Sequence, residues 1–300
     1  MARWTAKDIP DLTGRTYVVT GANSGLGYHT TLELARHGGR VIMACRDENK
    51  GTKAAAEITA TVPDADIEVR VLDLSNVDSV REFASGVNEI DVLINNAGIM
   101  FGPRRLTEAG HESQFATNHL GHFALTGLLL DRLRAGRDAR VVTVSSEFHR
   151  GGRIRFDDLT GARSYSPFAF YQQSKFANVL FALELHRRLR AANVPMISAI
   201  AHPGYAATNL QTSSPTGLHN IGGRIGNVLI AQSAAAGAWN ELYVATAPGV
   251  EGGQYYGPDR FRGLRGHPAL AKPDRKATDP ELAKRLWERS EELTGVRYAF

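Results

Sequence analysis

The sequence predicts one α/β domain built in three layers, with helices on both faces of a mostly parallel sheet of seven strands. Three observations predict it. Short β-rich runs alternate with segments of helical periodicity, the pattern of strand–helix–strand units and so of a parallel sheet. A glycine-rich turn, Thr20-Gly21-Ala22-Asn23-Ser24-Gly25-Leu26-Gly27, stands between the first strand and the first helix. No repeat, low-complexity run or linker interrupts the 300 residues. The Gly/Pro-rich patches near Gly102-Pro103, Gly151-Gly152 and 212–226 fall between elements, so residues 1–300 read as a single domain.

Tyr17-Val18-Val19-Thr20 is the first strand, followed by a helix from about Leu26 to His37. Val41-Ile42-Met43-Ala44 is the second, with a helix over Lys50 to Thr61. The third runs from Ile67 to Leu72 and the fourth from Val92 to Asn95. Helices around Glu112 to Leu133 precede a fifth strand, Arg140 to Val144. A long helix from about Phe168 to Ala191 leads to Met196–Ile200, and Gln254-Tyr255-Tyr256 closes the sheet as a shorter strand.

Composition narrows the function. With 43% hydrophobic and 22% charged residues the chain is an ordinary globular protein. Its net charge is +4, but the basic residues are scattered. The densest group, His186, Arg187, Arg188 and Arg190, ends a helix, where cations favour the dipole. That speaks against nucleic acid and for a polyanionic cofactor. Cys45 is the single cysteine, so no disulfide framework or thiolate metal site is expected. Ten histidines without an H-E-x-x-H pattern argue against a metal enzyme. The start lacks the apolar stretch of a signal peptide, and no run nears the ~20 apolar residues of a membrane span. A cytoplasmic protein is the expectation.

Gly21, Gly25 and Gly27, with Asn23, Ser24 and Leu26 between them, suit a turn that lets backbone approach a pyrophosphate and aims helix N–H groups at it. The spacing is G-x-x-x-G-x-G, so the common dinucleotide fingerprint is not reproduced. At the end of the second strand, where NAD readers place an acid, stand Cys45 and then Arg46. A guanidinium there suits a 2′-phosphate, so NADP(H) is favoured over NAD(H). The competing reading leaves Arg46 solvated and gives the ribose to Asp47. Asp73, beside Leu74 at the end of the third strand, either accepts the adenine amino group or caps the helix near Ser75-Asn76. Asn95-Asn96-Ala97-Gly98 ends the fourth strand at the ligand-binding edge. Its small Ala97 and Gly98 admit a ribose, while Asn95 tethers neighbouring strands.

The chemistry centres on Tyr171 and Lys175, four positions apart and so on one helical face. An ammonium there is expected to lower the phenol from its free pKa of about 10, giving a general acid/base for carbonyl–alcohol exchange. Ser145-Ser146 closes the fifth strand. His149 and His202 have no partner legible in sequence and read as loop residues.

In order along the chain, Thr20-Gly21-x-x-x-Gly25-x-Gly27, Asn95-Asn96-Ala97-Gly98, Asn118, Ser146, Tyr171-x-x-x-Lys175 and Pro203-Gly204 with Thr208 resemble the short-chain dehydrogenase/reductase superfamily over about residues 13–260. Ala44-Cys45-Arg46-Asp47, the run Tyr171–Phe181 and Leu286-Trp287-x-x-Ser290-Glu291 are similar to its retinol-dehydrogenase-like subgroup. So is the gap of 25 positions from Ser146 to Tyr171. The resemblance implies a Rossmann-like fold. It implies Tyr171 as proton donor and acceptor, and Lys175 as stabiliser of its phenolate and ligand of the nicotinamide ribose. Ser146 is implied as the hydrogen bond to the substrate oxygen, and Asn118 as holder of a relay water. Pro203, Gly204 and Thr208 are implied near the carboxamide or pyrophosphate. The sequence as given starts without the membrane anchor of animal retinol dehydrogenases, which counts against a retinoid.

Loops at about 147–170 and 205–226 flank the expected substrate, the first carrying Phe148, Phe156, Tyr165, Phe168 and Phe170, the second Tyr205, Leu210 and Leu218. These rings either line the pocket for an apolar aldehyde, ketone or alcohol or pack the insert on the domain. The leading expectation is an NADP(H)-dependent carbonyl reductase or alcohol dehydrogenase. The alternatives are a C=C reductase of a conjugated substrate and a non-catalytic NADP sensor or scaffold. The resemblance also implies a homodimer through the two long helices, about Glu112 to Leu133 and Phe168 to Ala191, with Ala177, Leu180, Phe181 and Leu185 as its apolar stripe unless that stripe faces the subunit's own sheet.

Overall fold

A computed structural model describes residues 3–205 and 232–300; Thr208, Leu210 and Leu218 lie outside the described residues. The strands are β1 (Thr16–Thr20), β2 (Arg40–Cys45), β3 (Ile67–Val71), β4 (Val92–Asn95), β5 (Arg140–Val144), β6 (Ile197–Ala201), β7 (Tyr255–Arg260) and β8 (Arg265–Ala271). They form one sheet in the order β3-β2-β1-β4-β5-β6-β7-β8, parallel except for the β7–β8 hairpin. The expected seven strands are thus eight. The extra one, Arg-Gly-His-Pro-Ala-Leu-Ala, carries Gly, Pro and Ala, which give it no strand signature. Its Pro268 lies opposite Pro258, beyond the part of β7 that pairs with β6, so neither proline removes a ladder bond from the sheet interior.

The helices are α1 (Gly25–Arg36), α2 (Glu48–Thr61), α3 (Val77–Gly86), α4 (Ser113–Phe115), α5 (Gly121–Leu128), α6 (Leu130–Ala135), α7 (Pro167–Ala191), α8 (Ala234–Thr246) and α9 (Pro280–Thr294). Strand alternation assigns each layer its core. Tyr17, Val19, Val41, Met43, Val92 and Ile94 pack with Leu34 of α1, Ile58 of α2 and Leu242 of α8. Val18, Ile42, Leu93 and Val141 face the other way, onto Phe83 of α3, Phe123 of α5 and Phe181 of α7. Between α4 and α5 the helix widens into a π-helical turn, Ala116–Leu120, which carries Asn118.

The stripe on α7 is consumed within the subunit. Ala177, Leu180, Phe181 and Leu185 are all buried, and α9 lies across α7 and α5. The Trp287 ring stands 5.0 Å from Phe123 and 5.8 Å from Phe181, with the Arg188 guanidinium 4.5 Å above it. The stripe therefore packs within the subunit, on its own sheet and on its C-terminal helix, and gives no support to a dimer. Among the described residues no helix is long and apolar enough to cross a membrane.

Candidate active site

The site lies at the carboxyl ends of the parallel strands, where strand ends and helix starts leave backbone groups open. Gly21 (φ +67°) and Gly25 (φ +56°) take left-handed conformations that admit the turn from β1 into α1. A Cβ on Gly27 would fall 2.4 Å from Gly21 O, so only glycine lets the helix start sit against the turn. Ser24 caps α1 by position without a side-chain hydrogen bond, and the first turn of α1 carries no acid. The N–H groups there are open to an anion. Below the turn, the Cys45 thiol is buried and pushed up to about 11, while the N–H groups of Ala22 and Asn23 hydrogen-bond toward its sulfur. Cys45 is an inert support for the glycine turn.

At the end of β2, Arg46 is exposed and its guanidinium enters no interaction among the described residues. Asp47 is committed elsewhere: it caps α2 through Lys50 N (3.1 Å) and pairs with Lys50 Nζ (3.2 Å). Asp73 does not cap α3, since Asn76 does that. Its carboxylate instead closes a turn onto Ser75 N (2.9 Å) and Ser75 Oγ (2.6 Å). Leu74 is buried in the core, its backbone against Gly121.

Asn95 corrects the expected strand tether. Its side chain is buried and points under the sheet, donating to Thr126 Oγ1 of α5 at 3.0 Å. The tether is its neighbour: Asn96 Nδ2 donates to Thr20 O (2.7 Å), and the N–H groups of Asn96 and Ala97 donate to Thr20 Oγ1. Gly98 then passes so close to the catalytic candidates that a Cβ would lie 3.3 Å from Asn118 Oδ1 and 3.5 Å from Lys175 Nζ.

Ser166 caps α7, Pro167 opens it, and the helix carries Tyr171 and Lys175 on one face below β5. Strand alternation separates the two serines. Ser145 is buried and donates to Lys175 O at 2.8 Å, whereas Ser146 turns to the cleft and hydrogen-bonds toward the Tyr171 phenol. Lys175 Nζ donates to Val144 O (3.2 Å) and lies 6.0 Å from the Tyr171 ring centre. Ser146, Tyr171, Lys175, Asn118 and Gly98 therefore converge, with the glycine turn along the same sheet edge.

The sequence compares with known proteins in the same sense. Residues 15–218 match the family model described as short chain dehydrogenase. Human retinol dehydrogenase 13 is 42% identical over 94% of this chain and 85% of its own length. Mouse polyprenol dehydrogenase is 41% identical over 96% of this chain and 86% of its own. The crystal structure of an uncharacterized protein from Mycobacterium paratuberculosis, 47% identical, superposes over 100% of both chains with a TM-score of 0.85. The chain belongs to the short-chain dehydrogenase family. It is an oxidoreductase of the retinol-dehydrogenase-like kind, with a fold that binds a nicotinamide dinucleotide.

Within this short-chain dehydrogenase, electrostatics depart from the sequence expectation. The Tyr171 phenol is pushed up to about 12 by burial, which outweighs its hydrogen bond with Ser146. Lys175 is itself pushed down to about 8 by burial, against the pull of the buried Glu241 carboxyl on α8. In the protein alone, desolvation decides both values. The expected lowering of the phenol does not appear.

Asn118 acts as a brace. Its Nδ2 donates to Ile99 O and Ser174 Oγ (2.9 Å each), and its Oδ1 accepts from Ile99 N (2.8 Å). Both amide donors are spent on the loop after β4 and on α7, so the side chain has no donor left for a relay water. Its backbone carbonyl, freed by the π-turn, meets His122 Nδ1 at 3.0 Å. A carbonyl only accepts, so Nδ1 carries the proton and Nε2 faces the Thr20 hydroxyl at 2.9 Å. Burial holds His122 down at about 4, a neutral strut between the π-turn and β1. Sequence reading missed His122, for which the i to i+4 spacing from Asn118 was the available signal, and took Thr20 only as the start of the glycine turn.

His149 and His202 are likewise neutral supports. His149 Nδ1 bonds Ser146 O (2.6 Å) and its Nε2 accepts from Asp274 N (3.0 Å). Buried His202, held down at about 4, receives Gly204 N at 3.3 Å beneath the Pro203-Gly204 turn. Gly204 has φ +68°, and a Cβ there would meet Leu264 O at 2.4 Å, so this turn is seated on the β7–β8 hairpin. Among the described residues no group of three or more His, Cys, Asp or Glu could hold a metal ion.

The insert's rings divide between two roles. Phe170 is fully buried and Phe156 packs beneath Arg285, 3.9 Å from its guanidinium. Phe148 stands 38% exposed beside Tyr171 and Phe168, 44% exposed, packs on Phe148, so the two border the cleft.

Proposed function

We propose that this protein is an NADP(H)-dependent oxidoreductase of one catalytic domain. It interconverts an apolar aldehyde or ketone and its alcohol, with Tyr171 as general acid and base. The observation that carries the reading is the convergence of Ser146, Tyr171 and Lys175 beneath an apolar rim. A bound nicotinamide supplies or takes the hydride. The Ser146 hydroxyl holds the substrate oxygen, and Tyr171 Oη delivers its proton there in reduction and recovers it in oxidation. The Lys175 ammonium favours the phenolate left behind and, lying beside Gly98, would also hold the ribose of a bound cofactor. Asn118 keeps the β4 exit loop pressed on α7, so these groups stay in register.

Gly21, Asn23, Ser24, Gly25, Leu26 and Gly27 would hold the pyrophosphate, with Ala97, Gly98, Pro203 and Gly204 toward the nicotinamide end. Asp73 Oδ2, which the Ser75 turn leaves unused, would serve the adenine. The relatives' names support the substrate class: retinol and polyprenol are both apolar isoprenoid alcohols.

The exposed Arg46, with Asp47 occupied by Lys50, supports NADP(H) over NAD(H). Titrating both reduced cofactors by fluorescence tests it. Arg46→Asp is expected to weaken NADPH roughly 10- to 100-fold, the size of a charge-assisted hydrogen bond, and to leave NADH little changed. Equal loss for both cofactors would remove the phosphate from Arg46. NADPH binding without turnover on any aldehyde or ketone would replace the carbonyl reading with C=C reduction or sensing.

A further inference from the structure

Phe101, in the loop after β4, has φ +57°, a left-handed backbone that a bulky side chain seldom takes. Two part-buried hydrogen bonds hold it there. Phe101 N donates to Gln114 Oε1 at 2.8 Å, and Gly102 O, one residue on, accepts from Tyr165 Oη at 2.8 Å. Gln114 is itself fixed, its Nε2 donating to Tyr165 Oη and Pro167 O at 3.1 Å each. Beneath them the buried Glu112 carboxylate caps α4 through Gln114 N and Phe115 N and lies 3.2 Å from Tyr165 Oη. The clamp thus draws on the long Ser146–Tyr171 insert, through Tyr165, and on α4, through Gln114. Strain kept by such a clamp points to a use for the conformation.

The conformation places the Phe101 ring edge-on to Tyr171, centres 5.2 Å apart and planes at 72°. Phe168 lies 5.7 Å and Phe148 6.4 Å from the same ring. Phe101 and Phe148 thus both meet the Tyr171 ring edge-on, and Phe168 packs on the two of them, so the three rings form a cup beside the phenol. We infer that Phe101 is a specificity-determining residue, held by the Gln114–Tyr165 clamp so that the cup selects carbonyl substrates bearing a flat aryl or conjugated group on the carbonyl carbon. The inference rests on the carbonyl-reductase reading above. Edge-to-face contacts reward a planar π-system and give a saturated ring of equal carbon count only its burial.

The test compares benzaldehyde with cyclohexanecarbaldehyde. The ratio of their kcat/KM values is measured with NADPH for the wild type, Phe101→Ala, Phe101→Gly and Tyr165→Phe. Glycine accepts the left-handed backbone, so the Gly variant reports the missing ring without new strain. The aryl preference is expected to fall roughly two- to tenfold in both Phe101 variants, the range of an aromatic contact. Tyr165→Phe, which opens the clamp and leaves the ring, is expected to lower it in the same direction while the Kd for NADPH stays constant. The two aldehydes are also titrated against the NADP⁺-loaded protein, where no reduction occurs, and the ratio of their Kd values is expected to move in parallel. A Phe101→Gly protein that loses activity equally on both aldehydes, with an unchanged Kd ratio, overturns the inference and leaves the carbonyl reading standing. Where the wild type reduces neither aldehyde, the Kd ratio alone decides for or against the cup, and the carbonyl reading is decided separately by turnover on the wider range of aldehydes and ketones.

Discussion

Tyr171→Phe is expected to lower carbonyl turnover by about 10²–10⁴-fold, the range general acid/base catalysis supplies. Affinity for NADP(H) is expected to stay within about twofold, because uniform binding survives when only a transition-state interaction is removed. Phenylalanine keeps the ring that packs against Phe101 and Phe148, so the cup persists. Only the hydroxyl goes, and with it the proton donor and the partner of Ser146. Among the described residues the two nearby histidines cannot stand in. Burial keeps His149 below its ordinary value and His202 near 4, and both are occupied by loop hydrogen bonds. Steady-state and single-turnover kinetics on the reduced cofactor check the result. Turnover retained within tenfold would mean that the proton comes from elsewhere and that Tyr171 is a packing residue.

The extent to which the site was legible follows from what each residue depends on. Gly21, Gly25 and Gly27 were readable because their need for glycine is local, set by positive φ at two of them and backbone approach at the third. Tyr171 and Lys175 were readable because a helix repeats every 3.6 residues. Ser146 required strand alternation, which sequence supplies only once the strand end is fixed. Asn95 failed on that point: one residue's shift reverses the face, and the tether belongs to Asn96. The phenol's pKa was misjudged because spacing shows that Lys175 is near but says nothing of the burial that outweighs it. Phe101 was invisible for a related reason, since its clamp joins residues more than 50 positions apart through Gln114 and Tyr165. Helix α8 was passed over as well. Its buried positions include Asn240 and Glu241, polar residues that break the apolar pattern a core helix normally shows.

Glu241→Gln is expected to stabilise the protein at pH 8 and to leave it nearly unchanged near pH 4.5. Glu241 is 2% exposed, accepts from Thr30 Oγ1 of α1, and is pushed up to about 7 by burial. A carboxyl raised in the folded state contributes its full stability below its unfolded value and loses it as pH rises through its folded value. The loss therefore falls between about pH 4.5 and pH 7. Above that window the native state holds a buried carboxylate, which glutamine avoids while still accepting from Thr30. The gain is reduced by the effect on Lys175, whose ammonium loses its buried counter-charge and is driven further below about 8. A net gain of about 1–3 kcal/mol remains, or roughly 2–8 °C in Tm for a chain of this size. The same change should move the alkaline fall of activity to lower pH, since a deprotonated Lys175 no longer favours the phenolate. Thermal melts at both pH values and a pH–rate profile separate these effects. An equal shift in Tm at pH 4.5 and pH 8 would show that glutamine acts through packing, and an unmoved alkaline limb would uncouple Glu241 from Lys175.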